Sequence, residues 1–277
     1  MNLGTDRDPD KGVTTLQRLK GLIQRHPKKL LILILLLIAY YFCLPKQLFR
    51  TPHATVVESR SGKLLGALIA EDGQWRFPVV DSVPYKFETC ILNFEDAHFY
   101  WHPGFNPISI GKAFLANILA GKTVRGGSTL TQQVIRLSRN HKKRTYWEKV
   151  RELVLATRLE LGYSKKYILK LYASHAPFGG NVVGLEAAAW RYFGMQPDQL
   201  SWAEAATLAV LPNAPSLIYP GKNHSKLLYK RNRLLHKLLD NNYIDSTTYR
   251  LSLLEELPKK PFQLPDTAPH LVQYLAK

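Results

Sequence analysis

Hydrophobic positions fall into three regimes along the chain. Leu30 to Leu44 reads LLILILLLIAYYFCL without a charge, with Lys28 and Lys29 before it and Pro45 and Lys46 after. Between 54 and 80 the pattern has strand character, and Thr55-Val56-Val57 and 64–69 flank Ser61-Gly62, a hairpin turn signal. From 85 onward the spacing turns helical. It predicts helices over 85–101, 108–120, 129–139, 146–161, 165–172, 185–192, 202–211, 225–240 and 246–256. In the fourth of these, Val150, Leu153, Val154, Thr157 and Leu161 recur at helical spacing and read as one buried stripe. Glu152 lies off that stripe and is expected to face a cleft beside Lys149. With no internal repeat and no low-complexity stretch, the pattern describes a mostly helical body behind a strand-containing stalk.

The first regime is the length of a short membrane helix or of a signal-peptide core. At about 1.5 Å per residue it falls short of a hydrocarbon core of roughly 30 Å, although snorkelling lysines and interfacial Tyr40 and Tyr41 make a span feasible. The long preceding segment and the absence of a small-x-small site after Leu44 favour an uncleaved anchor. Arg18, Lys20, Arg25, Lys28 and Lys29 put the N-terminus on the cytoplasmic side, with everything after Lys46 outside.

Charge changes the picture next. The formal net charge is +17, which asks for an anionic partner. An external domain excludes nucleic acid and leaves an acidic membrane surface or a phosphorylated substrate. The charge is clumped: 134–170 holds eleven Lys and Arg against Glu148, Glu152 and Glu160. From Lys222 to Lys237 there are six basic residues and no acid, which fits a solvated helix face as well as a site. Cys43 and Cys90 indicate neither a disulfide framework nor a metal site.

Four stretches carry candidate chemistry. Glu95-Asp96-Ala97-His98-Phe99-Tyr100-Trp101-His102 is followed by the helix stop Pro103-Gly104. If helical to the proline, it sets Glu95 and His102 on one face, and the aromatic surroundings suit an acid with a raised pKa acting as a general base. His98 and His102 are four apart, but the HExxH pattern of a zinc site is absent. Gly126-Gly127-Ser128-Thr129-Leu130-Thr131-Gln132-Gln133 pairs a tight turn with a capping box, and the exposed amides of such a helix start suit a phosphate. Gly121-Lys122-Thr123 is no phosphate loop, because Ala116 stands where the earlier glycine is required. Glu148-Lys149-Val150-Arg151-Glu152 reads equally as a surface salt-bridge cluster. The fourth stretch runs from Tyr172 through Ala176-Pro177-Phe178-Gly179-Gly180-Asn181 to Tyr192-Phe193-Gly194, a glycine-rich loop meeting a small-residue helix.

In this order the four resemble glycosyltransferase family 51, the peptidoglycan glycosyltransferases. The family's EDxxFxxHxG motif is matched by Glu95, Asp96, Phe99, His102 and Gly104, and its GGST(I/L)TQQ motif by Gly126 to Gln133. Its RKxxE motif is kept at Lys149 and Glu152, but Glu148 stands in place of arginine. Tyr172-Ala173-Ser174 stands where Tyr-Leu-Asn is usual. The AP-x-GGN loop resembles class A penicillin-binding proteins of the 1C type, without their transpeptidase domain. Ser109-Ile110-Gly111-Lys112 is an SxxK match by chance, since no SDN or KTG accompanies it.

The resemblance implies a mainly α, lysozyme-like glycosyltransferase domain with a membrane-facing lobe over 107–124, preceded by a single transmembrane helix. The organisation is then a cytoplasmic basic tail over 1–29, a transmembrane anchor over 30–45, and a stalk with a short β hairpin over 46–84. The glycosyltransferase domain follows over 85–257 and a C-terminal linker over 258–277. It also implies lipid II and the nascent glycan strand as substrates at the bacterial inner membrane, with membrane lipids and other cell-wall synthesis proteins as partners. Glu95 is the implied base and Glu152 a second catalytic acid that positions donor or cation. Asp96, His102, Lys112, Ser128, Thr129, Gln132, Gln133, Arg136, Arg144 and Lys149 are the implied substrate-binding residues. No metal-ligating side chains are expected, and Mg²⁺ or Mn²⁺ on the pyrophosphate is the one cofactor the family allows. Glu148 is expected to repel Glu152 and to weaken the enzyme. A weak family member acting as a scaffold and a lysozyme-like hydrolase are the rival readings; the intact GGSTLTQQ segment weighs against the hydrolase.

Overall fold

The computed structural model describes residues 26–122, 126–139 and 145–276. It divides into two units, 1–46 and 47–277.

In the first unit, helix α1 spans Pro27–Phe42, with proline in its first turn. Its apolar residues from Leu31 to Ile38 are all exposed. It stops short of the expected boundary because Pro45 disfavours helix just before it. Sixteen residues reach only about 24 Å. Among the described residues no helix is long and apolar enough to cross a membrane, so the expected transmembrane span is not met by α1 as it stands.

The second unit opens with the expected hairpin, β1 (Thr55–Glu58) against β2 (Leu64–Leu68), closed by Gly62 at φ +78°. A second small sheet was not foreseen. β3 (Trp75–Arg76) pairs in parallel with β5 (Val182–Val183), and β4 (Pro177–Gly179) pairs antiparallel with β5. These strands are two or three residues long, too short to leave an alternating pattern.

The helices follow the predicted order: α2 (Tyr85–Glu95), α3 (Pro107–Leu119), α4 (Leu130–Ser138), α5 (Tyr146–Gly162) and α6 (Lys165–His175), then α7 (Leu185–Phe193), α8 (Trp202–Val210), α9 (His224–Asp240) and α10 (Ser246–Leu254). The core is built around α8, whose Ala203, Ala205, Ala206, Leu208, Ala209 and Val210 are buried against α2 and α9. Small residues there let the three helices approach closely, which is the physical reason for the alanine-rich sequence. α4 packs on α5 and α6.

Residues beyond 257 return to the body. Phe262 donates its N–H to Arg191 O at 2.6 Å and Thr267 to Leu65 O at 2.8 Å. A further helix, α11 (Pro269–Leu275), lies on β1 and β2 with Val272 buried over Gly66.

The stripe predicted on α5 is reversed. Glu152, Ala156 and Leu159 are buried, while Val150, Val154 and Leu161 are exposed. Tertiary packing turned the helix by about half a revolution, because Glu152 is covered by the Lys149 cation and Ala156 admits a close neighbour. α3 is also exposed: Ala113 is its one buried residue, and Phe114 and Leu119 are 68% and 79% exposed.

Candidate active site

Helix α2 buries Phe87, Cys90 and Ile91 and ends on Glu95. The expected continuation to 101 does not form. Asp96 leaves helical geometry at φ −155°, and Phe99–Trp101 is a separate 3-10 turn, so Glu95 and His102 do not share a helix face. The cause is the Asp96 side chain. Its Oδ2 accepts the Leu130 N–H at 3.0 Å and lies 2.9 Å from His102 Nε2. Leu130 opens α4, where a backbone N–H lacks an intrahelical partner and a carboxylate is favoured.

His102 is fixed from its other side. Its Nδ1 accepts the Gly104 N–H at 3.2 Å, which assigns the ring proton to Nε2, facing Asp96. Gly104 has φ +92°, and a Cβ there would sit 2.8 Å from the backbone of Ala156 on α5. Thr129 donates its hydroxyl to Gly104 O at 2.7 Å, and Lys165 Nζ donates to His102 O at 2.7 Å. Asp96, His102 and Thr129, which the resemblance implies bind substrate, are buried and bonded within the protein, where they hold the first two motifs together.

The predicted capping box on α4 forms. Thr129 Oγ1 accepts the Gln132 N–H at 3.2 Å, and Gln132 Oε1 accepts the Thr129 N–H at 3.4 Å. Lys149 reaches the same point from α5, donating to Ser128 Oγ at 2.8 Å, Gln132 Oε1 at 3.1 Å and Glu152 Oε2 at 3.2 Å. The Lys149 side chain is about half exposed while that of Glu152 is 7% exposed, so the pair is a buried acid under a cation open to solvent. Gln132 Nε2 is buried without a hydrogen-bond partner among the described residues.

Gln133, one residue along α4, donates Nε2 to Glu95 Oε2 at 2.8 Å. Glu95 Oε1 is buried and makes no hydrogen bond among the described residues. Burial pushes the Glu95 carboxyl above the usual range. The Gln133 bond, the charges of Arg136 and Lys230 and, most weakly, the Asn213 side chain oppose that shift. Tyr172 places a buried hydroxyl nearby, also without a hydrogen-bond partner among the described residues. Burial and then the Glu95 charge raise its pKa well above the ordinary phenol value. A buried acid with one oxygen held and the other unengaged is the arrangement of a general base.

Lys230 and Asn213 were not foreseen in the site. Lys230 Nζ donates to Asn213 Oδ1 at 2.6 Å, and burial lowers its pKa while Glu95 raises it. The available signal was the acid-free run from Lys222 to Lys237, from which α9 brings the Lys230 charge to bear on Glu95.

The two departures from the family pattern have partners. Glu148 bonds Arg139 Nε, on the C-cap of α4, and lies 4.0 Å from Arg151. Arg139 thus places a positive charge against Glu148, which offsets the repulsion expected between Glu148 and Glu152. Ser174 is buried, donates its hydroxyl to Lys170 O at 2.8 Å and accepts the Val80 N–H at 3.3 Å. Lys112 sits exposed on α3, and Arg144 lies outside the described residues.

The transglycosylase family model matches residues 61–239, which contain all four motifs and the Glu95 cluster. The chain belongs to the transglycosylase family. Among similar members, penicillin-binding protein 1C of Escherichia coli is 38% identical over 226 residues, covering 81% of this chain and 29% of that protein. Penicillin-binding protein 1A of Aquifex aeolicus is 35% identical over 234 residues, covering 83% and 31%. A crystal structure of penicillin-binding protein 1A from Haemophilus influenzae aligns with TM-score 0.41 at 19% identity, covering 82% of this chain and 24% of that one. This transglycosylase-family chain thus spans less than a third of the length of these relatives.

Proposed function

We propose that the chain is a peptidoglycan glycosyltransferase that polymerises lipid II, with Glu95 as the general base. The supporting observation is the Glu95 carboxylate, raised by burial, held on one oxygen by Gln133 and flanked by Arg136 and Lys230. Oε1 takes the proton of the acceptor sugar's 4-hydroxyl as that oxygen attacks the anomeric carbon of the growing strand. The bond to the lipid pyrophosphate breaks in the same displacement, inverting the α donor to a β linkage. Arg136 and Lys149 offset the charge that develops on the leaving pyrophosphate. Glu152 orients Lys149 for this from below. Asp96 and His102 contribute by fixing the ends of α2 and α4.

The family allows Mg²⁺ or Mn²⁺. Among the described residues no group of three or more His, Cys, Asp or Glu is placed to hold a metal, and Glu152 is already engaged by Lys149. A divalent ion bound together with the substrate would add positive charge at the pyrophosphate.

The same reading places the chain at the inner membrane with its N-terminus in the cytoplasm. Supporting it are the apolar α1 behind Lys28 and Lys29, and the exposed Ile108, Phe114, Leu115, Ile118 and Leu119 of α3, which suit an interfacial helix. The nascent strand and other cell-wall synthesis proteins are its partners in this reading, and the domain is lysozyme-like.

The test is glycan synthesis from labelled lipid II by the wild-type chain and by Glu95→Gln. The variant keeps the shape and the Gln133 contact but not the base, so its rate should fall about 10² to 10⁴-fold with lipid II binding retained. A Gln variant that polymerises at the wild-type rate removes Glu95 from this role.

A further inference from the structure

We propose that Arg139 is a further cation of the pyrophosphate subsite, held in place by Glu148. The inference rests on the reading above and extends it to a residue outside the four motifs.

Arg136 and Arg139 are one helical turn apart on the end of α4, so their side chains leave the same face. Arg136 lies by Glu95. Arg139 points across to α5, where Glu148 takes its Nε. Next to Glu148 in sequence is Lys149, whose Nζ meets Ser128, Gln132 and Glu152. Helices α4 and α5 pack on each other, with Arg136 and Arg139 at the end of α4 and Lys149 in the first turn of α5. The Arg139 side chain is 23% exposed and that of Glu148 13%. The guanidinium is thus fixed at the rim rather than sealed inside.

The family motif carries an arginine at position 148. Here the acid is on α5 and the guanidinium is supplied from α4, so the same spot retains a planar cation of exchanged origin. With Nε used by Glu148, the terminal Nη pair is the bidentate face that matches a phosphate. Glu148 is then a positioning residue. It orients the fork and limits the freedom an anion would otherwise have to remove on binding.

The measurement is binding of inorganic pyrophosphate to the full chain by calorimetry, beside turnover of labelled lipid II and melting temperature. Arg139→Ala should weaken pyrophosphate about ten- to a hundredfold and lower turnover by a similar factor. Arg139→Lys, which keeps the charge but not the fork, should lose severalfold less and covers the case in which the alanine variant does not fold. The exchange Arg139→Glu with Glu148→Arg should return most of the affinity, because the guanidinium comes back from α5. Wild-type pyrophosphate affinity in Arg139→Ala or, if that does not fold, in Arg139→Lys overturns the proposal. So does an exchange variant that folds yet binds no better than Arg139→Ala. If the wild-type chain makes no glycan but binds pyrophosphate in this pattern, the polymerase reading fails while the anion subsite stands.

Discussion

The Asp96 carboxylate accepts the backbone N–H of Leu130 at 3.0 Å, tying the C-cap of α2 to the first residue of α4 across 34 positions of sequence. Glu95 precedes one partner by a single residue, and Gln133 follows the other by three. The bond between their side chains therefore depends on this tie. Asp96→Ala would leave the Leu130 N–H and His102 Nε2 buried without acceptors. It should destabilise the chain by about 3 kcal/mol and reduce turnover together with stability. Denaturant unfolding beside the polymerisation assay checks this, and an unchanged midpoint would show that water or another group replaces the carboxylate.

Gln133→Leu removes the side chain that donates to Glu95. Burial already raises the Glu95 pKa, and the Gln133 bond opposes the rise by favouring the charged form. Losing it moves the pKa further up, so the acid limb of the kcat/KM profile should shift to higher pH. Activity lost at neutral pH should return in part as the pH is raised. A parallel drop at every pH would mean that Gln133 acts on geometry alone.

Gly104→Ala meets two obstacles. The backbone is left-handed at φ +92°, and the added Cβ would lie 2.8 Å from Ala156 C and O, which are backbone atoms that cannot swing away. A loss of about 2–4 kcal/mol is expected, since strain and overpacking add. Thermal melting measures it. A shift no larger than that of an exposed glycine substitution would show that α5 can move aside.

Glu186 lines a cavity of about 560 Å³ with Glu58, Asp81 and Asp198, sharing no residue with the Glu95 cluster. Burial first, and then the charges of Glu58 and Asp198, raise its pKa from 4.5 to about 7. The folded chain thus holds this proton more tightly than the unfolded one. Its contribution is present below the unfolded value and is lost as pH rises through about 7. Glu186→Gln stays neutral throughout. At about pH 8 it should melt roughly 2–5 °C above the wild type, a gap that closes as the pH falls toward the unfolded value. An equal gap at all pH values would point to packing instead of charge.

Periodicity alone placed α4 with its capping box, because a cap and its helix are set by residues three apart, and the same holds for the β1–β2 hairpin around Gly62. The motif residues could be named from sequence for a similar reason: each is a fixed residue type at fixed spacing. Their division of labour could not. Asp96 and Gln133 look alike as polar motif members, yet one clamps the start of α4 and the other holds the Glu95 carboxylate. That difference depends on which helix ends meet in space. The reversed face of α5 has the same origin: a lysine arriving at the start of α4 makes Glu152 an inside residue, and hydrophobic spacing does not encode a partner seventeen positions away. Likewise nothing local in Glu148 announces Arg139, nor in Lys230 its approach to Glu95. Local chemistry fixed most of the helices and the motif residues, while long-range packing formed the β3–β5–β4 sheet, ended α2 at Glu95 and decided which charges are paired and which are buried.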